Sequence, residues 1–137
     1  MNELPEIPSG TSATESVTVT RDLTVAHFVE GMPEVYGTPL MIFLLEVAAA
    51  KAIQPFLPAG STSVGTAVNV KHLAGTPLGF LVTATATVTA VTSRTVTFAV
   101  SAHDGVDLIG EGTHSRSIIE LERFNARMQA KARDRQP

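Results

Sequence analysis

The chain has 137 residues, a net charge of −3, 44% hydrophobic residues, no cysteine and no tryptophan. That length suits one domain with a single aliphatic core, and the missing thiols exclude a disulfide framework, thiolate zinc sites and a cysteine nucleophile. The mild acidity gives no global field for nucleic acid or an anionic membrane, and the first residues lack the basic-then-apolar pattern of a secretory leader, so a cytoplasmic protein is expected.

Residues 1–14 carry Pro5, Pro8 and Gly10 among several Ser and Thr, and read as a loose lead-in to one domain over 15–137. Residues 15–21 alternate polar and apolar and read as a strand. An irregular stretch with Gly31, Pro33 and Gly37 follows. Thr38-Pro39 then opens a helix expected to run to about residue 54, with Thr38 as N-cap and Pro39 in the first turn. This helix is too apolar for a surface helix, and its apolar run, broken by Glu46 and Lys51, is read as too short to span a bilayer. Four Thr/Val-rich strands are expected at 62–73, 79–92, 94–104 and 107–120, with Gly75-Thr-Pro77, Thr92-Ser-Arg94 and Asp104-Gly105 as the turns between them. Residues from 121 to about 133 form a charged, helix-competent tail.

A sheet of this size needs a covered face, and the apolar helix is the obvious cover. The expected fold is α+β, an antiparallel sheet wrapped around a long central helix. This is the hot-dog fold, with a second subunit covering the remaining sheet face and edge.

Glu46 is the one acid inside the apolar helix. A buried carboxylate must be paired, hydrogen-bonded or protonated, so Glu46 either has a structural partner or does chemistry. Thr38 lies eight residues earlier, an offset of about 80° after two turns, so the two side chains lean to one side of the helix. Thr38 is either a plain cap or a reacting hydroxyl. In residues 64–72 the even positions are Val64, Thr66, Val68, Val70 and His72, and period two puts this row on the core face. His72, at its end, is a core histidine or a general base. Gly65 marks a bulge, a turn or a place where a ligand approaches the backbone. His103, Asp104, Asp107 and His114 follow no zinc spacing, so no metal is expected. Lys71, Arg94 and Arg116 are candidate phosphate contacts. There is no nucleophile elbow, phosphate-binding loop or dinucleotide fingerprint.

The segment 101–114, with residues 122–126 behind it, resembles the fluoroacetyl-CoA thioesterase family of hot-dog acyl-CoA thioesterases. The likeness extends back through residues 65–72 and 33–38 to Leu45-Glu46, covering all but the first dozen or so residues. The resemblance implies a catalytic set of Thr38, Glu46 and His72. It implies that Gly65 holds the thioester carbonyl through its backbone and that Arg116 lies near the site. It also implies an aromatic lid where this chain has Val29 and Met32, and a flexible Met makes a more adaptable wall than Phe. The implied activity is hydrolysis of a short-chain acyl-CoA, with fluoroacetyl-CoA among the candidates. The implied assembly is a homodimer, and CoA enters as part of the substrate rather than as a cofactor. Two rivals keep the fold: an acyl-CoA hydratase or dehydratase, and a non-catalytic acyl-CoA binder.

Overall fold

The computed structural model describes residues 6–135. Strand β1 (Ser12–Thr18) is followed by a 3-10 turn (Arg21–Leu23), a short helix α1 (Val25–Phe28) and the long helix α2 (Thr38–Ile53). A second 3-10 turn (Gln54–Phe56) leads into β2 (Ser61–His72), β3 (Leu81–Thr92), β4 (Thr95–His103) and β5 (Leu108–Glu120), and α3 (Leu121–Asp134) closes the chain. The five strands form one antiparallel sheet in the order β1-β3-β4-β5-β2. β2 therefore crosses to the edge beside β5, and its other edge has no partner strand among the described residues.

The sheet curls around α2, which packs against all five strands. Met41, Leu44, Leu45, Ala48, Ala49, Ala52 and Ile53 of α2 are buried. They face Val82, Ala84, Ala86 and Val88 of β3, and Val96, Phe98, Val100 and Ala102 of β4. Alanines on both sides let the helix axis approach the sheet closely. Gly110 of β5 extends this: a Cβ there would lie 2.6 Å from the Met41 sulfur, so only glycine leaves room for that side chain.

The start of α2 differs from expectation. Gly37, not Thr38, is the N-cap, and its carbonyl accepts the N–H of Met41 at 3.0 Å. No side chain caps the helix, so the Thr38 hydroxyl is left free for another partner. α2 and the turn after it make a 19-residue stretch, Thr38–Phe56, long and apolar enough by composition to cross a membrane. That stretch is longer than its sequence suggests, because the 3-10 turn carries the helical path through Pro55.

β1 starts at Ser12, three residues before the expected strand, so it takes in part of the segment read as lead-in; residues 1–5 of that segment lie outside the described ones. β2 to β5 fall within two residues of their expected bounds. The outward rows of the sheet are polar, and a groove of about 610 Å³ there is lined by Asn69, Lys71, Thr85, Thr87, Ser101 and Glu111, among others.

β2 departs from a single period-two row. Its register against β5 slips between Gly65 and Ala67, so Thr66 is an extra, bulged residue. Before the bulge the odd positions face inward: Ser63 is buried and hydrogen-bonded to Arg116, and Gly65 faces Glu46. After the bulge the even positions take over, and Val70 packs on the core. Val64 and Thr66 therefore do not share the inward row with Val70 and His72. An inserted residue inverts the facing of everything beyond it, and the pattern of residue types alone does not show the insertion.

Replacing Met41, fully buried against Gly110, with alanine should lower unfolding stability by about 2–5 kcal/mol, read from urea denaturation followed by circular dichroism.

Candidate active site

Two hydrogen-bonded groups stand on and beside α2. At its N-terminus the exposed Thr38 hydroxyl lies 2.7 Å from Nδ1 of His72, the last residue of β2. Thr38 is the first helical residue, and the glycine cap frees its side chain to cross to the strand end. His72 Nε2 is buried and has no hydrogen-bond partner among the described residues. Burial lowers the pKa of His72, with the Ala74 backbone opposing, so the ring is neutral at neutral pH. A neutral ring with its hydrogen on Nε2 accepts the Thr38 O–H at Nδ1, which is the arrangement a general base needs.

Two turns along α2, Glu46 meets Arg116 of β5. Arg116 Nη1 donates to Glu46 Oε2 at 3.5 Å. The rest of the guanidinium is held by β2: Nε donates to Ser63 Oγ at 2.8 Å and Nη2 to the Ser63 carbonyl at 2.9 Å. Nη1 also lies 3.2 Å from His114 Nε2, and His114 Nδ1 is 2.8 Å from the Ala67 carbonyl. Burial lowers the pKa of Arg116 from its usual range, and the Glu46 carboxylate opposes this by charge and hydrogen bonding. The pair is lopsided in exposure: the Arg116 side chain is 9% exposed and that of Glu46 34%. The carboxylate therefore faces a region open to solvent, while its partner is locked in the sheet.

Gly65 lies directly against this pair. A Cβ at that position would collide with Glu46 Oε2 and lie 3.3 Å from His114 Cε1. The bulge after it turns the backbone outward, and Gly65 itself is exposed. Glycine here is a matter of close approach, and the approaching group is the carboxylate.

Thr38 and His72 thus form one unit, and Glu46, Gly65 and Arg116 another, with α2 supplying one member of each. Val29 and Met32 are 53% and 46% exposed on the segment between α1 and α2, and neither is buried against either unit. Reading the sequence did not single out Ser63, and it set His114 aside with the scattered acids and histidines. The signal was available in β5, where His114, Arg116 and Ile118 recur at period two and all three are buried. His103, Asp104 and Asp107 serve a turn instead. Asp104 Oδ1 accepts the N–H groups of Val106 and Asp107 at 2.9 and 2.7 Å, its Oδ2 accepts the Thr76 hydroxyl at 2.8 Å, and His103 Nδ1 accepts the N–H of Gly105. No group of three or more potential metal ligands occurs among the described residues. Lys71 lines the outer groove, and Arg94 lies at the β3–β4 turn. That groove is lined by none of Thr38, Glu46, Gly65, His72 or Arg116, so it is a separate feature.

Comparison with known proteins adds to this geometry. Residues 19–122 match the family described as FlK, fluoroacetyl-CoA-specific thioesterase. A fluoroacetyl-CoA thioesterase from Streptantibioticus cattleyicolor is 50% identical over 99 residues, covering 72% of this chain and 71% of that protein. A mutant of the fluoroacetyl-CoA-specific thioesterase FlK, solved in complex with fluoroacetate and CoA, superposes with a TM-score of 0.81 at 42% identity, over 87% of this chain and 100% of that one. A Thermus thermophilus member of the thioesterase superfamily superposes with a TM-score of 0.88 at 30% identity, over 93% and 95% of the two chains.

Gly65→Ala should force the Glu46 carboxylate away from Arg116 and cost about 1–3 kcal/mol of stability in urea denaturation. In a Glu46→Ala background most of that cost should vanish, because the collision is with the removed side chain.

Proposed function

This chain belongs to the fluoroacetyl-CoA-specific thioesterase family, and from that premise we propose that it hydrolyses a short-chain acyl-CoA to the free acid and CoA through Thr38, Glu46 and His72. The observation that carries the proposal is the pairing of Thr38 Oγ with His72 Nδ1 at 2.7 Å, with the Glu46 carboxylate two turns further along the same helix. A helix-opening threonine has no structural need for a histidine, and here the cap is supplied by Gly37.

In the overall reaction water adds its oxygen to the acyl carbonyl, the C–S bond breaks, and the thiolate leaves and takes up a proton. Such a reaction needs a nucleophile, a base and polarisation of the carbonyl. His72 draws the proton from Thr38 or from a water beside it, and its lowered pKa keeps it a base at neutral pH. Glu46 supplies the carboxylate that attacks the acyl carbon or deprotonates the attacking water. The exposed Gly65 backbone offers its N–H to the developing oxyanion, and the N-terminus of α2 adds a favourable dipole near Thr38. Arg116 holds Glu46 in place from the sheet side. Val29 and Met32 form part of the wall around the acyl group, and Met32 makes that wall adaptable. The same reading takes the protein as cytoplasmic, requires no cofactor beyond the CoA of the substrate, and involves neither nucleic acid nor membrane.

The protein also acts as a homodimer in this proposal. Phe43, in the middle of α2, is 63% exposed, and residues 65–69 on the unpartnered edge of β2 are exposed as well, with Val68 among them. The outer sheet face is polar by contrast, so the contact runs through the β2 edge and the open flank of α2.

A thiol-release screen over acetyl-, fluoroacetyl-, propionyl- and longer acyl-CoAs should show turnover on the short esters, with little discrimination among them; no turnover on any would sink the proposal. Thr38→Ala should lower kcat by about 100-fold if Thr38 takes part in the proton transfers, whereas a hydratase on this fold would barely respond. Sedimentation velocity should show a dimer that Phe43→Glu shifts toward monomer, and an unchanged dimer would contradict the proposed contact.

A further inference from the structure

His114 is buried on the inner face of β5, with its ring stacked on Phe98 (centroids 6.0 Å apart, planes 25° apart). Its two ring nitrogens are engaged by groups of opposite kind. The Ala67 carbonyl, 2.8 Å from Nδ1, can only accept, so Nδ1 must carry the hydrogen. The Arg116 guanidinium, 3.2 Å from Nε2, can only donate, so Nε2 must be bare. One state of the imidazole satisfies both: the neutral ring with its hydrogen on Nδ1. The other neutral tautomer, or the imidazolium, would set an N–H against the guanidinium.

Ala67 follows the bulge that carries Gly65 and Thr66. Arg116 is the residue that reaches Glu46. His114 therefore joins the two features that frame the carboxylate: the turned backbone of β2 and the cation of β5. Ser63 holds Nε and Nη2 of the planar guanidinium, and His114 adds a third anchor at Nη1, the nitrogen that also faces Glu46.

We propose that His114 is a positioning residue of the thioesterase site, which as the Nδ1–H tautomer ties the Ala67 carbonyl of the bulge to Arg116 and so aims the guanidinium at Glu46. This rests on the reading of Glu46 as catalytic. The charged groups acting on the ring are Arg116 on β5 and Glu46 on α2, while β2 and β4 present the Ala67 carbonyl and Phe98. Burial lowers its pKa, with the Ala67 carbonyl and Glu46 opposing and Arg116 reinforcing. The neutral state is thereby the stable one at neutral pH. Proton uptake would remove the acceptor that Arg116 uses and add a like charge beside it.

Three substitutions test the proposal by thiol release, with kcat, KM and melting temperature measured for each. His114→Phe keeps the ring and its stacking but loses both hydrogen bonds. His114→Gln can present an acceptor near the position of Nε2, toward Arg116. His114→Asn reaches only the region of Nδ1, toward Ala67. His114→Phe is expected to lower kcat about tenfold with KM changed less than about threefold, since the acyl-CoA contacts are untouched. His114→Gln should exceed His114→Asn in kcat by about fivefold at similar melting temperatures, because an acceptor for Arg116 is what the site needs. A His114→Phe variant within twofold of the parent kcat, or a His114→Gln variant no better than His114→Asn, overturns the proposal. If His114→Phe does not fold, the Gln and Asn pair decides alone. Failure of the underlying reading shows separately, as a Glu46→Gln enzyme that keeps the parent kcat.

Discussion

A carboxylate on the helix that fills the sheet has to be compensated from the sheet, and the Arg116–Glu46 pair is that compensation. A long apolar helix gains its stability from burial on the strands, and an acid in its middle opposes this unless a cation meets it. Arg116 meets it from β5, and the cation is itself desolvated. Its other nitrogens then need partners, and each has one: the Ser63 hydroxyl for Nε and the Ser63 carbonyl for Nη2, with His114 Nε2 a second contact of Nη1. Truncating Arg116 would strand the others, because each of these groups is buried or half-buried.

The bulge in β2 follows from the same constraint. For Ser63 to face Arg116 while Val70 faces the core, the strand must change the facing of its side chains once along its length. Thr66 makes that change, and Gly65 beside it makes room for the carboxylate. The irregular backbone lies where the chemistry is proposed, and the regular ladders of β3 and β4 supply the rigid support. The ion pair, buried only on its Arg116 side, fixes one carboxylate oxygen in direction, which a group required to attack or deprotonate at a set position needs.

Thr38 and His72 answer to a different constraint, at the helix mouth. Gly37 provides the cap through its backbone, so the threonine hydroxyl is not consumed by the helix. His72 is the last residue of β2, the edge strand beside β5, and this strand end lies at the helix N-terminus. The crossover of β2 to the side of β5 is therefore what brings a residue 34 positions away into hydrogen-bonding distance. It also leaves the other edge of β2 without a partner strand among the described residues, and that edge is where a second copy is proposed to sit.

Much of this was legible in the chain itself. The central helix, four of the five strand bounds and the Asp104-Gly105 turn follow from periodicity and turn chemistry, which are local. Glu46 stood out because a lone acid in an apolar run is costly wherever the helix is buried. His72 was placed inward by alternation, correctly for the half of β2 that follows the bulge. What the sequence could not determine depends on contacts distant along the chain. The cap is Gly37, and the Thr38 side chain finds its partner 34 residues later instead. Ser63 and Gly65 face inward because one residue between two strands is unpaired, and pairing is decided by the neighbour. His114 looked like a scattered histidine, and Arg116, taken from the residues as a phosphate contact and from the resemblance as lying near the site, is instead buried with it against Glu46. Local propensity sets which segments are helix and strand; which polar groups must satisfy one another is decided only when packing removes their water.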